Sequence, residues 1–502
     1  MNTGGDNSVA LRKQKGHFLI NEAMVGVIET KHPGYVEATQ KLFNSVVMFY
    51  VKVMGVDVEK CLSVSVSDLY QVYESLTITN KKRAEVPHPI PFKDVPKDFR
   101  RAAIKKAFGI VKSHDSNLKR WQQRIERANQ AKTLKKKTRL KKKAGKPPTL
   151  PTSTNFPTQF YSSMFGQDTG DSIVVKLWTG SSWVKEKFLY KCRELPSGYQ
   201  KSTMSLMISN GKLNICWVIQ KLTPSQGKLD EQIQAYGKLR VLSIDLNLSD
   251  PIVVAKVLEG YEDTGVVEEI TTLRLQGNNR LSHLRKRYLG LIAKAKKLTN
   301  THTELGNSPP KRMCATLWER IKNLEKDLIE KISNTLVEFA LKYQCQLIVF
   351  ENLKSLKALK GKYSHRSNIK RSNWIAKKIQ KRTEHKALAR YSIYTTRINP
   401  AYTSITDAFL GGKCLRGSQV GSLNLYLWSE RGLGKLVKTP EGKIYDSGDN
   451  AARNIALKYL ASKFKKPVVL KHPGLVSGCV AWLPLPDAKG TVLIPSWCAL
   501  SV

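Results

Sequence analysis

Three carboxylates in this acid-poor chain stand where catalytic or metal sites are usually built. Asp245 and Glu351 each follow a largely apolar run that reads as a buried strand. Asp449 stands at the start of an Ala-rich segment, with Asp446 three residues before it. Because α/β proteins place their sites at the carboxyl ends of strands, these residues are the first candidates for chemistry.

Each carboxylate also has a structural interpretation, because Asp caps loops and is a good N-cap residue of helices. If Asp245, Glu351 and Asp449 gather at one end of a sheet, they repel one another and raise their own pKa values unless cations are present. Hard oxygen ligands suit Mg²⁺ or Mn²⁺. Two such ions can activate a water and stabilise the leaving oxygen in phosphodiester cleavage.

The elements around these residues follow an α/β order. Three apolar runs between 238 and 275 predict three successive strands. The segment 317–343 repeats apolar residues every three or four positions, which predicts an amphipathic helix that leads into the strand ending at Glu351. With a further helix from 450, this order predicts an α/β domain that carries Asp245 and Glu351 at one edge of its sheet.

The first half has a different organisation. Apolar spacing predicts helices at 35–54 and 97–131. The segment 132–148 has nine Lys or Arg and no acid, so it is either a solvated linker or an arm that contacts phosphates. From 157 to 222 apolar residues alternate, and Asn210-Gly211 between two such runs predicts a β-hairpin.

The charge balance indicates the kind of partner. The chain has 84 Lys and Arg against 40 Asp and Glu, a net charge of +44. Such a charge repels itself in a compact fold unless a polyanion neutralises it, so nucleic acid is the expected partner and an anionic membrane surface is the alternative. Because no apolar stretch predicts a membrane span or a signal peptide, we expect a cytoplasmic protein with no membrane partner.

Three segments resemble a known family. SIDLNLSD with Asp245, IVFENL with Glu351 and DNAARNIA with Asp449 resemble the three RuvC motifs of the TnpB transposon-associated nucleases and the compact type V CRISPR effectors. The last two motifs are fairly specific when they occur together. The resemblance is direct over about 238–460 and rests on architecture alone in the N-terminal half.

The resemblance implies a multidomain α+β fold. Its parts are a leader with a possible first wedge strand (1–34), a helical recognition domain (35–131), a basic linker (132–156), an antiparallel β wedge domain (157–236) and an RNase H-like α/β RuvC domain (237–502).

The resemblance also implies a prokaryotic protein that binds a guide RNA and opens double-stranded target DNA beside a short flanking motif. Asp245, Glu351 and Asp449 would then hold Mg²⁺ or Mn²⁺ and cut the DNA. Such a protein would be associated with the nucleoid when it is bound to DNA.

Nucleic-acid contacts are expected from two basic segments. The second, 357–390, places Tyr363 and Trp374 among twelve Lys or Arg and one acid, which suits a surface that follows a single strand; a solvated basic helix is the alternative. The residues predicted to make these contacts are Lys135, Lys136, Lys137, Arg371, Lys378 and Arg382.

Two departures from the family pattern affect these expectations. The third Asp of the family usually stands two residues before the Asn of N-A-A, where this chain has Gly448; Asp449 is one residue closer to that Asn and Asp446 two residues further away. The region 401–445 corresponds to a four-Cys zinc ribbon in relatives, but Cys414 is its only cysteine. We therefore expect no zinc, and a hairpin or lid formed by 411–428 in place of the ribbon.

Three other functions stay open beside cleavage of target DNA. The protein could bind DNA under RNA guidance without cutting, as a repressor or recruiter, which the displaced third Asp and the missing ribbon favour. It could use the RuvC site on the guide RNA alone. It could also be an RNase H-like transposase that acts on DNA ends without RNA. The intact Asp245 and Glu351 favour cutting.

Overall fold

The computed structural model is a mixed α/β, multidomain structure that divides into two compact units, Met1–Leu222 and Thr223–Val502. The residues that it describes are 17–80, 83–131, 133–209, 212–225, 227–248, 250–304, 313–353, 356, 358–359, 364–416, 436–471, 480–487 and 490–495.

The first unit joins helices to an antiparallel sheet. Its helices are α1 (Pro33–Gly55), α2 (Val58–Ser63), α3 (Leu69–Thr77), α4 (Lys97–Asn129) and α5 (Leu134–Ala144). Its strands are β1 (His17–Glu29), β2 (Thr158–Phe160), β3 (Phe165–Gly166), β4 (Ser172–Trp178), β5 (Trp183–Lys191), β6 (Gln200–Ser209) and β7 (Lys212–Pro224), with a 3₁₀ turn at Ser162–Met164.

One apolar core holds this unit together, and both long helices predicted from the sequence are confirmed in it. The apolar stripe of α1 contacts α4, where Phe43 meets Phe99 edge to face at 5.4 Å between ring centroids. The same cluster includes Trp217 of β7, so helices and sheet pack on a shared core. The division into a helical domain (35–131) and a β domain (157–236) stays a prediction.

The sheet has the strand order β2-β6-β7-β1-β5-β4-β3. β6 and β7 pair antiparallel down to Ser209 opposite Lys212. The predicted Asn210-Gly211 turn between them lies outside the described residues.

The basic segment after α4 forms a helix for much of its length. α5 covers 134–144 and is followed by Gly145, whose carbonyl accepts a hydrogen bond from Trp121 Nε1 at 2.9 Å. His114 lies 3.2 Å from the Pro148 carbonyl. These two contacts hold the segment that follows α5, at Gly145 and at Pro148, against α4.

The second unit begins with a helix where the β domain was expected to continue. Its helices are α6 (Leu229–Tyr236), α7 (Asn278–Glu304), α8 (Ala315–Lys342), α9 (His365–Ser372), α10 (Ala376–Tyr391) and α11 (Ser447–Phe464). Its strands are β8 (Lys238–Leu246), β9 (Val253–Tyr261), β10 (Val266–Leu275), β11 (Leu347–Glu351), β12 (Tyr394–Ile398), β13 (Leu415–Arg416), β14 (Leu436–Lys438), β15 (Ile444–Asp446), β16 (Val468–Leu470), β17 (Val480–Asp487) and β18 (Gly490–Pro495). Ile233 of α6 is buried in the core of this unit, which explains why 229–236 belongs here.

An eight-stranded sheet organises the second unit, in the order β12-β11-β8-β9-β10-β16-β17-β18. β8, β9 and β10 form an antiparallel meander, while β11 lies parallel to β8 and β12 parallel to β11. One face packs on α8 and α10, and the other packs on α11. The strands and helices predicted from 238 onward are confirmed.

The C-terminal segment extends this sheet through β16, β17 and β18. Trp482 of β17 is fully buried against α11, and its Nε1 donates a hydrogen bond to Asn454 Oδ1 at 3.0 Å. Among the described residues, no helix is both long and apolar enough to cross a membrane.

Replacing Trp482 with Ala should destabilise the chain by about 3–5 kcal/mol, because the change leaves a cavity over α11 and removes the hydrogen-bond donor to Asn454 Oδ1. Urea denaturation followed by circular dichroism measures the loss. The matched change at Trp318, which is 40% exposed, should cost no more than about 0.5 kcal/mol. Equal stability of the two variants would contradict the role of β17 as part of the core.

Candidate functional site

Asp245 and Glu351 lie side by side at the carboxyl ends of neighbouring parallel strands. β8 and β11 pair with Ile244 opposite Phe350, so the next residue of each strand is a carboxylate. Residues at equivalent steps of paired strands project from the same face of a sheet, which here is the face covered by α11. The sequence prediction that strand ends bring these two residues together agrees with this register.

Burial and mutual repulsion dominate the electrostatics of this carboxylate pair. Asp245 is 8% exposed, and burial together with the Glu351 charge raises its pKa well above the usual value, against opposing effects of Arg416 and a hydrogen bond from Asn247. Burial also raises the pKa of Glu351, although Thr403, Lys458 and Arg416 favour its ionised form. Thr403 Oγ1 donates to Glu351 Oε1 at 2.5 Å.

Two basic side chains, Arg416 and Lys458, therefore surround the pair. Lys458 is itself buried, and the loss of solvent lowers its pKa to about 8 although Glu351 acts in the opposite direction. Its Nζ donates to the Ala401 carbonyl at 3.0 Å. Sequence analysis missed both residues, because nothing in their local sequence distinguishes them from the many other basic residues of the chain.

Two buried asparagines of α11 hold the loop that carries Thr403. Asn454 Nδ2 donates to the Thr403 and Thr406 carbonyls at 3.0 and 2.6 Å. Asn450 Nδ2 donates to the Thr406 carbonyl at 2.7 Å, and its Oδ1 accepts from the Ala408 amide at 3.0 Å. The N-A-A-R-N pattern of the third motif thus positions a hydrogen-bond donor to Glu351.

Asp449 is directed to a different part of the unit. Its carboxylate forms an ion pair with Arg274 and lies 3.5 Å from Lys256 Nζ. Lys256 is 2% exposed and also contacts Glu269 at 2.5 Å. Burial opposes ionisation of Glu269, but Arg453 and Lys256 outweigh it and lower its pKa. Asp449 therefore belongs to an ion network along β9 and β10, and its role as a third metal ligand stays a prediction.

Asp446 acts electrostatically on the carboxylate pair. Its charge is among the influences that raise the pKa of Asp245. One of its oxygens, Oδ1, caps α11 by accepting from the Gly448 and Asp449 amides at 2.8 and 3.2 Å. A Cβ placed on Gly448 would lie 2.9 Å from Val254 Cγ2, 3.1 Å from Asp446 Oδ1 and 3.4 Å from Asn247 Nδ2. Position 448 thus lies beside Asn247, the hydrogen-bond partner of Asp245.

The donor set of Asp245 and Glu351 fits a hard divalent cation, because a positive charge between two buried carboxylates would relieve their repulsion. Among the described residues, no three or more His, Cys, Asp and Glu side chains are grouped closely enough to hold a metal ion. Cys414 is buried, which raises the pKa of its thiol to about 12. Much of the predicted hairpin or lid at 411–428 lies outside the described residues.

The residues predicted to bind nucleic acid have different surroundings. Lys135 is exposed and Lys137 half-buried on α5, while the side chain of Lys136 and all of Tyr363 lie outside the described residues. Arg371 is half-buried. Lys378 pairs with Glu325 at 2.6 Å and Arg382 with Glu330 at 2.7 Å. These two pairs fasten α10 to α8, so part of the charge of 357–390 is neutralised within the protein.

Comparisons with known proteins identify relatives of this chain. The Aq_aa04 family matches residues 25–179. The TnpB-like protein aq_aa05 from Aquifex aeolicus (strain VF5) is 30% identical over 132 residues, which cover 26% of this chain and 42% of that protein. The matched segment thus spans less than half the length of the curated relative. It confirms the resemblance to TnpB-like proteins that the motifs predict.

Solved structures of low sequence identity are also similar. A Cas12f1–sgRNA–target DNA complex has 12% identity and a TM-score of 0.41, and covers 88% of this chain and 99% of that chain. CasPhi-2 (Cas12j) bound to crRNA and phosphorothioate DNA has 11% identity and a TM-score of 0.44, and covers 88% and 91%.

Replacing Asp245 with Asn should stabilise the protein at neutral pH by about 0.5–2 kcal/mol, the usual range for single stabilising changes. The pKa of Asp245 is raised by burial, so the folded state binds its proton more tightly than the unfolded state does. Stability from this group is present at low pH and is lost as pH rises through the raised pKa. The benefit of the variant should therefore shrink as pH falls.

Thermal melts in EDTA from pH 4 to pH 8 measure this difference. The control is Asp327→Asn, because Asp327 is exposed and forms a surface ion pair with Lys331. A variant at 245 that is less stable than the wild type at pH 8 would show that the charge of Asp245 is satisfied by its neighbours.

Proposed function

We propose that this chain, which resembles TnpB-like proteins, is an RNA-guided DNA-binding protein that cuts its target DNA with a metal-dependent site in its second unit. The observation that carries the proposal is the carboxylate pair, Asp245 and Glu351, buried side by side where two parallel strands end. Buried like charges with raised pKa values are typical of functional sites, because they cost stability and are retained for chemistry.

The topology of the second unit supports the RNase H-like assignment that the sequence resemblance implies. An antiparallel meander, β8 to β10, is followed by β11 and β12, each added in parallel on the other side of β8. α7 and α8 connect β10 to β11. This arrangement brings the first two motif carboxylates to one edge, although they are far apart in sequence.

In the proposed mechanism, Asp245 and Glu351 would hold the cation. A bound Mg²⁺ or Mn²⁺ would polarise the phosphodiester and lower the pKa of an attacking water. Thr403 and Asn247 fix the carboxylate orientations through their hydrogen bonds. Arg416 and Lys458 reduce the repulsion between the carboxylates and would face the phosphate of a bound strand.

The third ligand would be either Asp449 or Asp446. Asp449 would have to leave Arg274 and Lys256 to reach the pair. Asp446 already influences Asp245 and would need only to share its capping carboxylate. We therefore expect the two residues to differ in their effect on cleavage.

A second candidate function is RNA-guided DNA binding without cleavage. It is favoured by Gly448, which occupies the family position of the third Asp, and by the ion pairs that hold Asp449. Arg416 and Lys458 already supply positive charge beside the carboxylates. In that case the protein would act by occupying its target, as a repressor or recruiter.

The proposed partners follow from charge as well as resemblance. A net charge of +44 suits a protein that holds the backbones of a guide RNA and a heteroduplex while base pairing reads the target. The exposed lysines of α5 would contact phosphates of the bound nucleic acid. The flanking motif beside the target would be read from duplex DNA.

Glu351→Gln should reduce Mg²⁺-dependent cleavage at least about 100-fold and leave RNA binding unchanged, because it removes a metal ligand and touches no phosphate contact. The protein is purified with the RNA expressed from its own locus and incubated with matched duplexes that carry a randomised flank, with Mg²⁺ or with EDTA. Asp446→Asn and Asp449→Asn are compared in the same assay to assign the third ligand.

The matched control for this series is Glu338→Gln, at an exposed position of α8. Guide-dependent binding without any cleavage by the wild type would establish the second candidate function. Normal cleavage by the Glu351 variant would exclude the carboxylate pair as the active site. A preparation that holds no RNA and binds DNA ends would instead favour a transposase.

Replacing Lys135, Lys137 and Lys141 of α5 with Gln should weaken nucleic-acid binding and lower the magnitude of its log–log salt slope by about 2–3, because each released phosphate contact contributes nearly one counterion. Fluorescence anisotropy at several salt concentrations measures the slope. A triple substitution at Lys322, Lys326 and Lys342 on α8 removes the same charge elsewhere. Equal slopes for both triple variants would make α5 an ordinary solvated helix.

A further inference from the structure

A cavity of about 520 Å³ lies beside α7 and the turn between α9 and α10. Its volume is within the roughly 300–1,000 Å³ that is typical of small-ligand sites. Leu248, which lines the cavity, is three residues beyond Asp245. The cavity therefore opens close to the end of the strand that supplies the first carboxylate.

The chemistry of the lining is basic at the rim. His283 and Lys286 of α7 and Lys370 of α9 are exposed there. Among the residues that the structure describes, no carboxylate lines the cavity. Arg285, in the floor of the cavity, is 5% exposed and donates a hydrogen bond to the Asn373 carbonyl at 3.1 Å. Its charge is compensated by an ion pair with Glu325. The positive charge available to a ligand is at the rim.

An anchored aromatic ring forms part of the wall. Trp374 is half-buried, and its Nε1 donates to the Asn247 carbonyl at 3.0 Å. The side chain of Asn247 in turn hydrogen-bonds the Asp245 carboxylate. Leu289 and Ile369 add apolar surface beside the indole. A ligand held against Trp374 would thus be fixed relative to Asp245 through a single residue.

We propose that this cavity binds one nucleotide of a single-stranded nucleic acid, with its base on Trp374 and its phosphate near Lys286 and Lys370. An aromatic platform beside basic side chains is how proteins hold single strands without regard to sequence. The inference rests on the proposed function for one point only: the strand so held would be the one presented to Asp245 and Glu351. A guide RNA and a displaced DNA strand share the recognised chemistry.

Trp374→Leu should weaken binding of an oligonucleotide of about six nucleotides by about five- to 150-fold, the range of a lost base-stacking contact. Trp374→Phe keeps a smaller aromatic ring for stacking and loses the bond to Asn247, so it should retain more of the affinity than Trp374→Leu does. Trp318→Leu is the matched control, since Trp318 is an exposed tryptophan outside the cavity. Affinity is measured by anisotropy in EDTA, with DNA and RNA oligonucleotides in separate arms.

The same oligonucleotides carrying 5-iodouracil are photocrosslinked to the wild-type protein, and the adduct is located by mass spectrometry. We expect it on the peptide that contains Trp374, and we expect Lys286→Gln with Lys370→Gln to reduce it while circular dichroism stays unchanged. An effect confined to the DNA arm assigns the cavity to the target strand, and one confined to the RNA arm assigns it to the guide.

Three results would overturn the proposal. They are an unchanged affinity of Trp374→Leu, equal losses in the Leu and Phe variants, and a crosslink that lies elsewhere in the chain. Because the binding is measured without metal, these results are independent of whether the protein cuts DNA. Failure of cleavage with intact binding at Trp374 would count against the nuclease alone.

Discussion

Two carboxylates held side by side away from water repel each other, and the surrounding contacts of the second unit reduce the free-energy cost of that repulsion. Asp245 and Glu351 end neighbouring strands, and burial raises the pKa of both. Ionised together in this position they destabilise the fold, and a chain selected for stability alone would place apolar residues there. The surrounding hydrogen bonds and basic side chains reduce this cost, and a divalent cation would remove most of it.

Hydrogen bonds from α11 and β17 hold the loop that contacts the carboxylate pair. Asn450 and Asn454 fasten the loop that carries Thr403, and Trp482 bonds Asn454 from a strand near the C-terminus. The two acids at the start of α11 make different contacts. Asp446 caps the helix, and Asp449 belongs to the ion network of Lys256. Under the proposed function, cleavage would require a cation to recruit one of these two acids.

Sequence reasoning succeeded where the signal is local. Helical periodicity predicted α1, α4 and α8, and apolar runs predicted β8 and β11, so the neighbouring positions of Asp245 and Glu351 could be anticipated from strand ends. It missed α6 and the strands after 466, whose places depend on distant partners. The positions of Arg416 and Lys458 beside the carboxylates and the ion pairs of Asp449 could not be predicted either. Each of these contacts joins segments that are far apart in sequence, and the basic residues involved look like the many others in the chain.

The most direct test of the account is the binding of Mn²⁺ to the purified protein, followed by electron paramagnetic resonance. The account predicts that the wild type binds Mn²⁺, that Mg²⁺ displaces it, and that the Asp245→Asn, Glu351→Gln double variant does not bind it. The Glu338→Gln variant should bind it like the wild type. Undiminished binding in the double variant would contradict the claim that the carboxylate pair is a cation site.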